Sequence, residues 1–127
     1  MSTLAIDWGE SKIGLAVSAG KLADPFEVIK YKDEKALIDR LCRIVLKKKV
    51  EKIIVGVSEG KSAKKARRFG KHLAEAVKLP VEFVDETLTS KDAMQMAIEA
   101  GVPRDRRAKM EDAFAAAIIL QRYLDKK

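Results

Sequence analysis

Apolar residues along this chain fall into two rhythms. Short unbroken runs, Leu4 to Ile6, Leu15 to Val17 and Ile53 to Val55, have strand length and are apolar at every position rather than every second one. That pattern suits strands covered on both faces. It predicts strands over Thr3–Trp8, Lys12–Ser18 and Lys52–Val57. Two more follow prolines: Phe26–Lys32 after Pro25, and Val81–Asp85 after Pro80. Phe26–Lys32 mixes apolar and charged residues on each face, which an edge strand tolerates. The second rhythm is helical. Leu37, Leu41, Ile44 and Val45 form an apolar stripe over Glu34–Lys48. Ala63, Ala66, Phe69, Leu73 and Val77 form another, in a helix capped by Ser62 and running to about Lys78. Thr89 and Asp92 resemble a capping box for a helix to about Ala100, ended by Gly101. A last helix over Arg106–Leu124 turns Met110, Ala113, Phe114, Ala117, Leu120 and Leu124 inward, with small residues that permit close packing on a sheet.

The predicted order is three strands, helix, strand, helix, strand and two helices. Hairpin-joined strands followed by strand–helix alternation imply an α/β fold with a five-stranded mixed sheet, antiparallel at one side and parallel at the other, and helices on both faces. In such sheets ligands bind beyond the carboxyl ends of the central strands. No linker or repeat interrupts the chain, so residues 1–127 read as a single domain. No apolar run approaches the roughly 18 residues that a membrane span needs, and the amino terminus carries no basic segment followed by a long apolar core, so the expected location is the cytoplasm.

Charge sharpens this picture. Lys and Arg outnumber Asp and Glu by 26 to 19, a formal net charge of +7 that favours polyanionic partners. The cations are clustered. Lys61, Lys64, Lys65, Arg67, Arg68 and Lys71 run without an intervening acid, Lys47, Lys48 and Lys49 form a second block, and Arg104, Arg106, Arg107 and Lys109 a third. Such clusters are either solvated helix surface or a nucleic-acid contact. The lone histidine, His72, falls on the charged side of its helix and reads as solvent-exposed. The single cysteine, Cys42, has apolar neighbours and reads as a buried helix position rather than a catalytic thiol.

The candidate chemistry is carboxylate chemistry. Asp7 ends the first strand, Asp85 and Glu86 end the fifth, and Asp112 lies in the first turns of the last helix beside Glu111. Asp7 precedes Gly9 and a polar turn bracketed by Gly9 and Gly14, so its alternative role is to cap that turn. Strand alternation prevents Asp85 and Glu86 from facing one site, and turns Trp8 away from the face of Asp7 into the core. Carboxylates gathered at strand ends repel one another unless a cation sits among them. Hard oxygen donors with no His or Cys nearby specify Mg2+ or Mn2+.

The segments Ile6-Asp7-Trp8-Gly9 through Lys12-Ile13-Gly14-Leu15-Ala16-Val17, Ile53-Ile54-Val55-Gly56, Asp85-Glu86-Thr87-Leu88-Thr89, and Asp112-Ala113 through Ala115-Ala116-Ala117-Ile118-Ile119-Leu120-Gln121 resemble the YqgF family of Holliday-junction resolvase-like proteins, the pre-16S rRNA nucleases of bacteria. The resemblance covers nearly the whole chain in one order. It implies an RNase H-like fold, with the fourth strand beside the first and the fifth beyond it, and it implies Asp7, Glu86 and Asp112 as the catalytic, metal-binding triad. This chain departs from the family pattern in three places. Thr87 stands where the family usually has Arg, Ser11 and Lys12 replace a pair of basic residues, and Val57-Ser58-Glu59-Gly60-Lys61 is shorter than the family's loop. Glu59, near the end of the fourth strand, is either a further ligand or a solvated loop acid.

The expectation is a Mg2+- or Mn2+-dependent nuclease on structured nucleic acid, most simply processing the 5′ end of pre-16S rRNA. Lys12 would stand near the scissile phosphate, while Lys64, Arg67, Arg68 and Lys71 hold the backbone. Three rivals stand beside it. One is a resolvase of branched DNA. Another is a non-catalytic RNA-binding factor acting on ribosome assembly intermediates, suggested by Thr87 and the short loop. The third is an ATP-binding domain, since Asp-x-Gly and a polar turn also resemble the phosphate hairpin of actin-like ATPases. A homodimer is compatible with the sequence but not located by it.

Overall fold

The computed structural model describes residues 2–57, 61–85, 99, 101 and 103–126. The unbroken apolar runs become the middle of a sheet, because only a strand flanked and covered on all sides can bury every side chain it carries. β1 (Ser2–Asp7) pairs antiparallel with β2 (Lys12–Ser18) and parallel with β4 (Val50–Val57). β3 (Asp24–Lys30) pairs antiparallel with β2 at one edge, and β5 (Val81–Asp85) pairs parallel with β4 at the other. The five-stranded order is β3-β2-β1-β4-β5, the mixed sheet expected.

Helix α1 (Glu34–Lys47) starts at Asp33, whose carboxylate accepts from the backbone N–H groups of Lys35 and Ala36. It buries Leu37, Leu41 and Val45 of the predicted stripe, while Ile44 and Cys42, the latter expected to be buried, are half-buried. Helix α2 (Lys61–Val77) begins at Lys61, so Ser62 lies within it rather than before it. Its buried face is the predicted one, with Ala66, Phe69 and Leu73 almost wholly enclosed. Helix α3 (Arg104–Asp125) extends slightly beyond the predicted span at both ends. The helix expected between Thr89 and Ala100 lies outside the described residues except at Glu99; the Gly101 expected to end it has φ +74°, the left-handed conformation of a terminating glycine. Among the described residues no helix is long and apolar enough to cross a membrane.

The edge strand differs from its prediction. β3 begins at Asp24 and ends at Lys30, so Pro25 lies inside it. An edge strand accommodates proline because its missing N–H leaves no ladder bond unmade, and the β2–β3 register shifts between Leu15 and Ala16, opposite Pro25.

Two apolar layers fill the space around the sheet. The thicker lies under α1 and α2 and joins Leu4, Ile6, Ile13, Leu15, Ile53 and Val55 to Leu41, Phe69 and Leu73. Trp8 packs on this layer against Phe69, ring centroids 6.3 Å apart, as strand alternation required. The thinner lies under α3 and is rich in alanine: Ala5, Ala16, Ala116 and Ala117 with Ile54, Ile119 and Leu120. Small side chains on both surfaces draw α3 onto the sheet.

Gln121 of α3 fixes the β2–β3 connection. Its side-chain oxygen accepts from the Ala23 N–H at 2.9 Å, and its amide donates to the Lys21 carbonyl at 2.9 Å. Ala23 is buried. Gln121→Ala leaves that N–H without its partner and should cost about 1–3 kcal/mol, measurable by chemical denaturation.

Candidate active site at the carboxyl end of the sheet

Asp7 is the last residue of β1. Leu4 and Ile6 belong to the layer under α1 and α2, and Ala5 to the layer under α3, so strand alternation directs Asp7 to the α3 face. Its cross-strand partners are glycines on both sides, Gly14 of β2 and Gly56 of β4. Helix α3 presses onto both. A Cβ added to Gly14 would lie 1.9 Å from the Asp112 carbonyl oxygen, and one added to Gly56 would lie 2.5 Å from Ile119 Cδ1. The glycines flanking Asp7 thus form a seat into which the helix sinks, bringing the start of its buried segment, at Asp112 and Ala113, over the end of β1.

Lys12 opens β2 two residues before Gly14 and shares its face. Its ammonium lies 3.0 Å from Asp112 Oδ2. The hydrogen bond to Asp112 and the charge of that carboxylate raise the Lys12 pKa above its ordinary value, with smaller contributions from Glu111 and Asp7, against a small opposing desolvation. The Lys12 side chain is 52 % exposed, so the pair contributes at most about 1 kcal/mol to stability. Its consequence is positional: a cation is held where the fields of Asp7 and Asp112 overlap.

The β1–β2 turn is tied down from two directions. Glu10 pairs with Lys65 of α2 at 2.8 Å. The Tyr31 hydroxyl donates to the Gly9 carbonyl at 2.6 Å, and the Tyr31 N–H donates to the Ser11 carbonyl at 2.9 Å. Burial, then the charges of Glu34 and Glu10, push the Tyr31 pKa upward. The phenol therefore stays protonated and able to donate.

The structure brings together Asp7, Lys12 and Asp112. Glu86, Thr87 and Glu59 lie outside the described residues, as does most of the short loop after β4. Asp85 ends β5, in register with Val57. Lys64, Arg67, Arg68 and Lys71 are exposed on α2, across the sheet from α3. Only the first turns of α2 approach the site end, through Lys65, while Arg67 lies over the Phe83 ring at 5.4 Å. The block Lys47 to Lys49 sits at the opposite end of the sheet, where the Lys49 carbonyl accepts from the Ser2 N–H. Arg106 and Lys109 are exposed on the first turns of α3. His72 is exposed as expected and pairs with Glu34 at 3.2 Å.

Sequence reasoning set Gly14 at the edge of the turn and inside the predicted strand Lys12–Ser18, without a role of its own. It is the third residue of β2, and its role as the helix seat was signalled only by a glycine inside an apolar strand, a mark of close backbone approach. The part of Tyr31 in anchoring the turn left no pattern in the sequence.

The donor set suits a hard divalent cation. Both carboxylates attract the Lys12 ammonium, Asp112 at 3.0 Å and Asp7 through its charge. Among the described residues no group of three His, Cys, Asp or Glu side chains is assembled.

Comparison with known proteins agrees with this architecture. Curated relatives of similar length carry the name "Putative pre-16S rRNA nuclease": one from Oenococcus oeni is 38% identical, covering 100% of this chain and 96% of the relative, and one from Dictyoglomus thermophilum is 35% identical, covering 98% and 96%. Among solved structures, Thermus thermophilus RuvC in complex with a Holliday junction substrate superposes with a TM-score of 0.66 at 18% identity, covering 99% of this chain and 94% of that one. The fowlpox virus resolvase, in complex with Holliday junction DNA, gives 0.68 at 14% identity, covering 99% and 98%. At such identities these likenesses establish the fold, which is RNase H-like. The profile of the family described as "RuvX: Holliday junction resolvase" matches residues 1–126, and the chain belongs to that family.

Proposed function

We propose that this protein is a divalent-metal-dependent nuclease that hydrolyses phosphodiesters in structured nucleic acid, with the 5′ end of pre-16S rRNA as its substrate. The observation that carries this reading is that Asp7 and Asp112 both act on the Lys12 ammonium at the carboxyl end of β1. The relatives' name supports the rRNA substrate. Asp7, Asp112 and Glu86 would hold Mg2+ or Mn2+. Glu86 is assigned from the family resemblance of the segment Asp85-Glu86-Thr87-Leu88-Thr89. A bound ion of this kind lowers the pKa of an attacking water and stabilises charge on the leaving oxygen.

The chain's own groups supply the rest. Lys12 carries an ammonium, held fully protonated, to the side of the site where a phosphate would lie. The exposed cations Lys64, Arg67, Arg68 and Lys71 attract and retain the backbone of a folded polyanion arriving from the α2 side. Ribosome assembly intermediates in the cytoplasm are the setting in which such a substrate occurs.

The deciding experiment is cleavage of a labelled pre-16S leader RNA and a four-way DNA junction, each with manganese or with chelator. Manganese-dependent cutting of the leader is the expected result. Preferential cutting of the junction would favour branched DNA, the reading suggested by the family's description. Tight binding with no cutting of either would replace catalysis with an assembly role, consistent with Thr87 and the short loop. Binding should also weaken steeply with salt. If about six phosphates are engaged, affinity should fall on the order of a thousand-fold between about 50 and 200 mM salt, and a flat titration would exclude a phosphate-dominated contact.

A further inference from the structure

Beside the β1–β2 turn, at the edge of β3, lies a recess of about 390 Å³ lined by Ser11, Lys12, Lys30, Tyr31 and Lys32. Three of these five residues are lysines and none is acidic. Lys12 and Lys30 are direct cross-strand partners in the β2–β3 ladder. Like charges directly opposite each other do not help a sheet to form, so the pairing of two lysines here is not one that strand association selects. Asp112 compensates Lys12 alone, and the other neighbouring acids are engaged elsewhere. Asp33 caps α1, Glu34 pairs with His72 and Glu10 with Lys65, while Asp112 draws the Lys12 ammonium toward the carboxylate site. Among the described residues, neither Lys30 nor Lys32 lies within ion-pair distance of a carboxylate.

The register places this recess relative to the carboxylates. Asp7 pairs with Gly14, and Lys12, two residues along the same face of β2, pairs with Lys30. A line of groups therefore runs from Asp7 and Asp112 through Lys12 to Lys30 and on to Lys32 at the sheet's free edge. The floor is firm, because Tyr31 is tied to the carbonyls of Gly9 and Ser11.

We propose that Lys12, Lys30 and Lys32 form a phosphate track that holds the substrate strand as it leaves the carboxylate site across the edge of β3. The track binds the phosphodiester backbone without reading its bases, and it deepens the nuclease reading above, on which it rests. It differs from the α2 cations in lying on the same sheet face as Asp7 and Asp112.

The test compares the wild type with a Lys30→Gln/Lys32→Gln variant and with a Lys47→Gln/Lys49→Gln variant, which removes equal charge from the opposite end of the sheet. Affinity for the labelled leader RNA is titrated against salt in chelator, where nothing is cut, and melting temperatures are recorded. The track variant should lose about five- to tenfold in affinity at low salt, and its salt slope should fall by about 1.4, the value for two single-strand phosphate contacts. Its melting temperature should stay close to that of the wild type, because neither Lys30 nor Lys32 is in an ion pair among the described residues. The control should keep the wild-type slope. Equal losses in both variants would reduce the effect to net charge and overturn the track. A track variant that binds like a wild type competent in binding and cutting would overturn the track and leave the nuclease reading intact. A wild type that binds neither the leader nor the junction would overturn both.

Discussion

Replacing Gly14 with alanine is expected to destabilise the protein by about 3 kcal/mol or more and to abolish nuclease activity in the fraction that still folds. The added methyl would lie 1.9 Å from the Asp112 carbonyl oxygen and 2.6 Å from the Ala113 nitrogen. Overpacking in a core usually costs about 1–3 kcal/mol because side chains rotate or shift to make room. Here the obstacle is helix backbone on strand backbone, so α3 itself must rise from β2. Rising would strip contacts from Ala16, Ala116 and Ala117 and carry the Asp112 carboxylate away from Asp7. Thermal denaturation and a cleavage assay on the same sample measure both effects. A Gly14→Ala protein with wild-type stability and activity would show that α3 is not seated on Gly14.

Asp7→Asn and Asp112→Asn should each lower the cleavage rate on the order of a hundred- to a thousandfold, the scale of losing one charge-stabilising group from a catalytic site. Stability should move far less. The Lys12–Asp112 pair is partly solvated, and an amide keeps the shape of the carboxylate it replaces. The two variants should also bind Mn2+ more weakly, and Trp8, the neighbour of Asp7 and the only tryptophan, offers a fluorescence probe of that binding. Normal cutting by either variant would remove that carboxylate from the reaction. Normal metal binding with slow cutting would assign it to substrate rather than to the ion.

Much of the architecture was legible because burial leaves a period in the sequence. Leu4 to Ile6 and Ile53 to Val55 had no polar alternation, and so marked strands enclosed on both faces. The stripes of α1 and α2 followed the helical period and proved to be the buried faces. Asp7 and Asp112 stood out as acids at the ends of apolar segments, and Lys12 as the cation beside them. Where α2 would lie relative to those acids was not legible, since a charged helix surface has the same pattern on either side of a sheet. The edge strand was misplaced by two residues at each end, because an edge accepts Pro25 and a mixed pattern as readily as a loop does.

The sequence by itself determined the succession of elements, the residues of each buried face, and the family to which the chain is related, because hydrophobic burial and motif spacing are written in one dimension. Tertiary structure decided which charges share a place. Lys12 faces Lys30 through β-ladder register, and Asp112 reaches the end of β1 because two glycines flanking Asp7 let a helix sink onto the sheet. Both depend on distances between segments far apart in the chain, and those distances are set only when the layers pack.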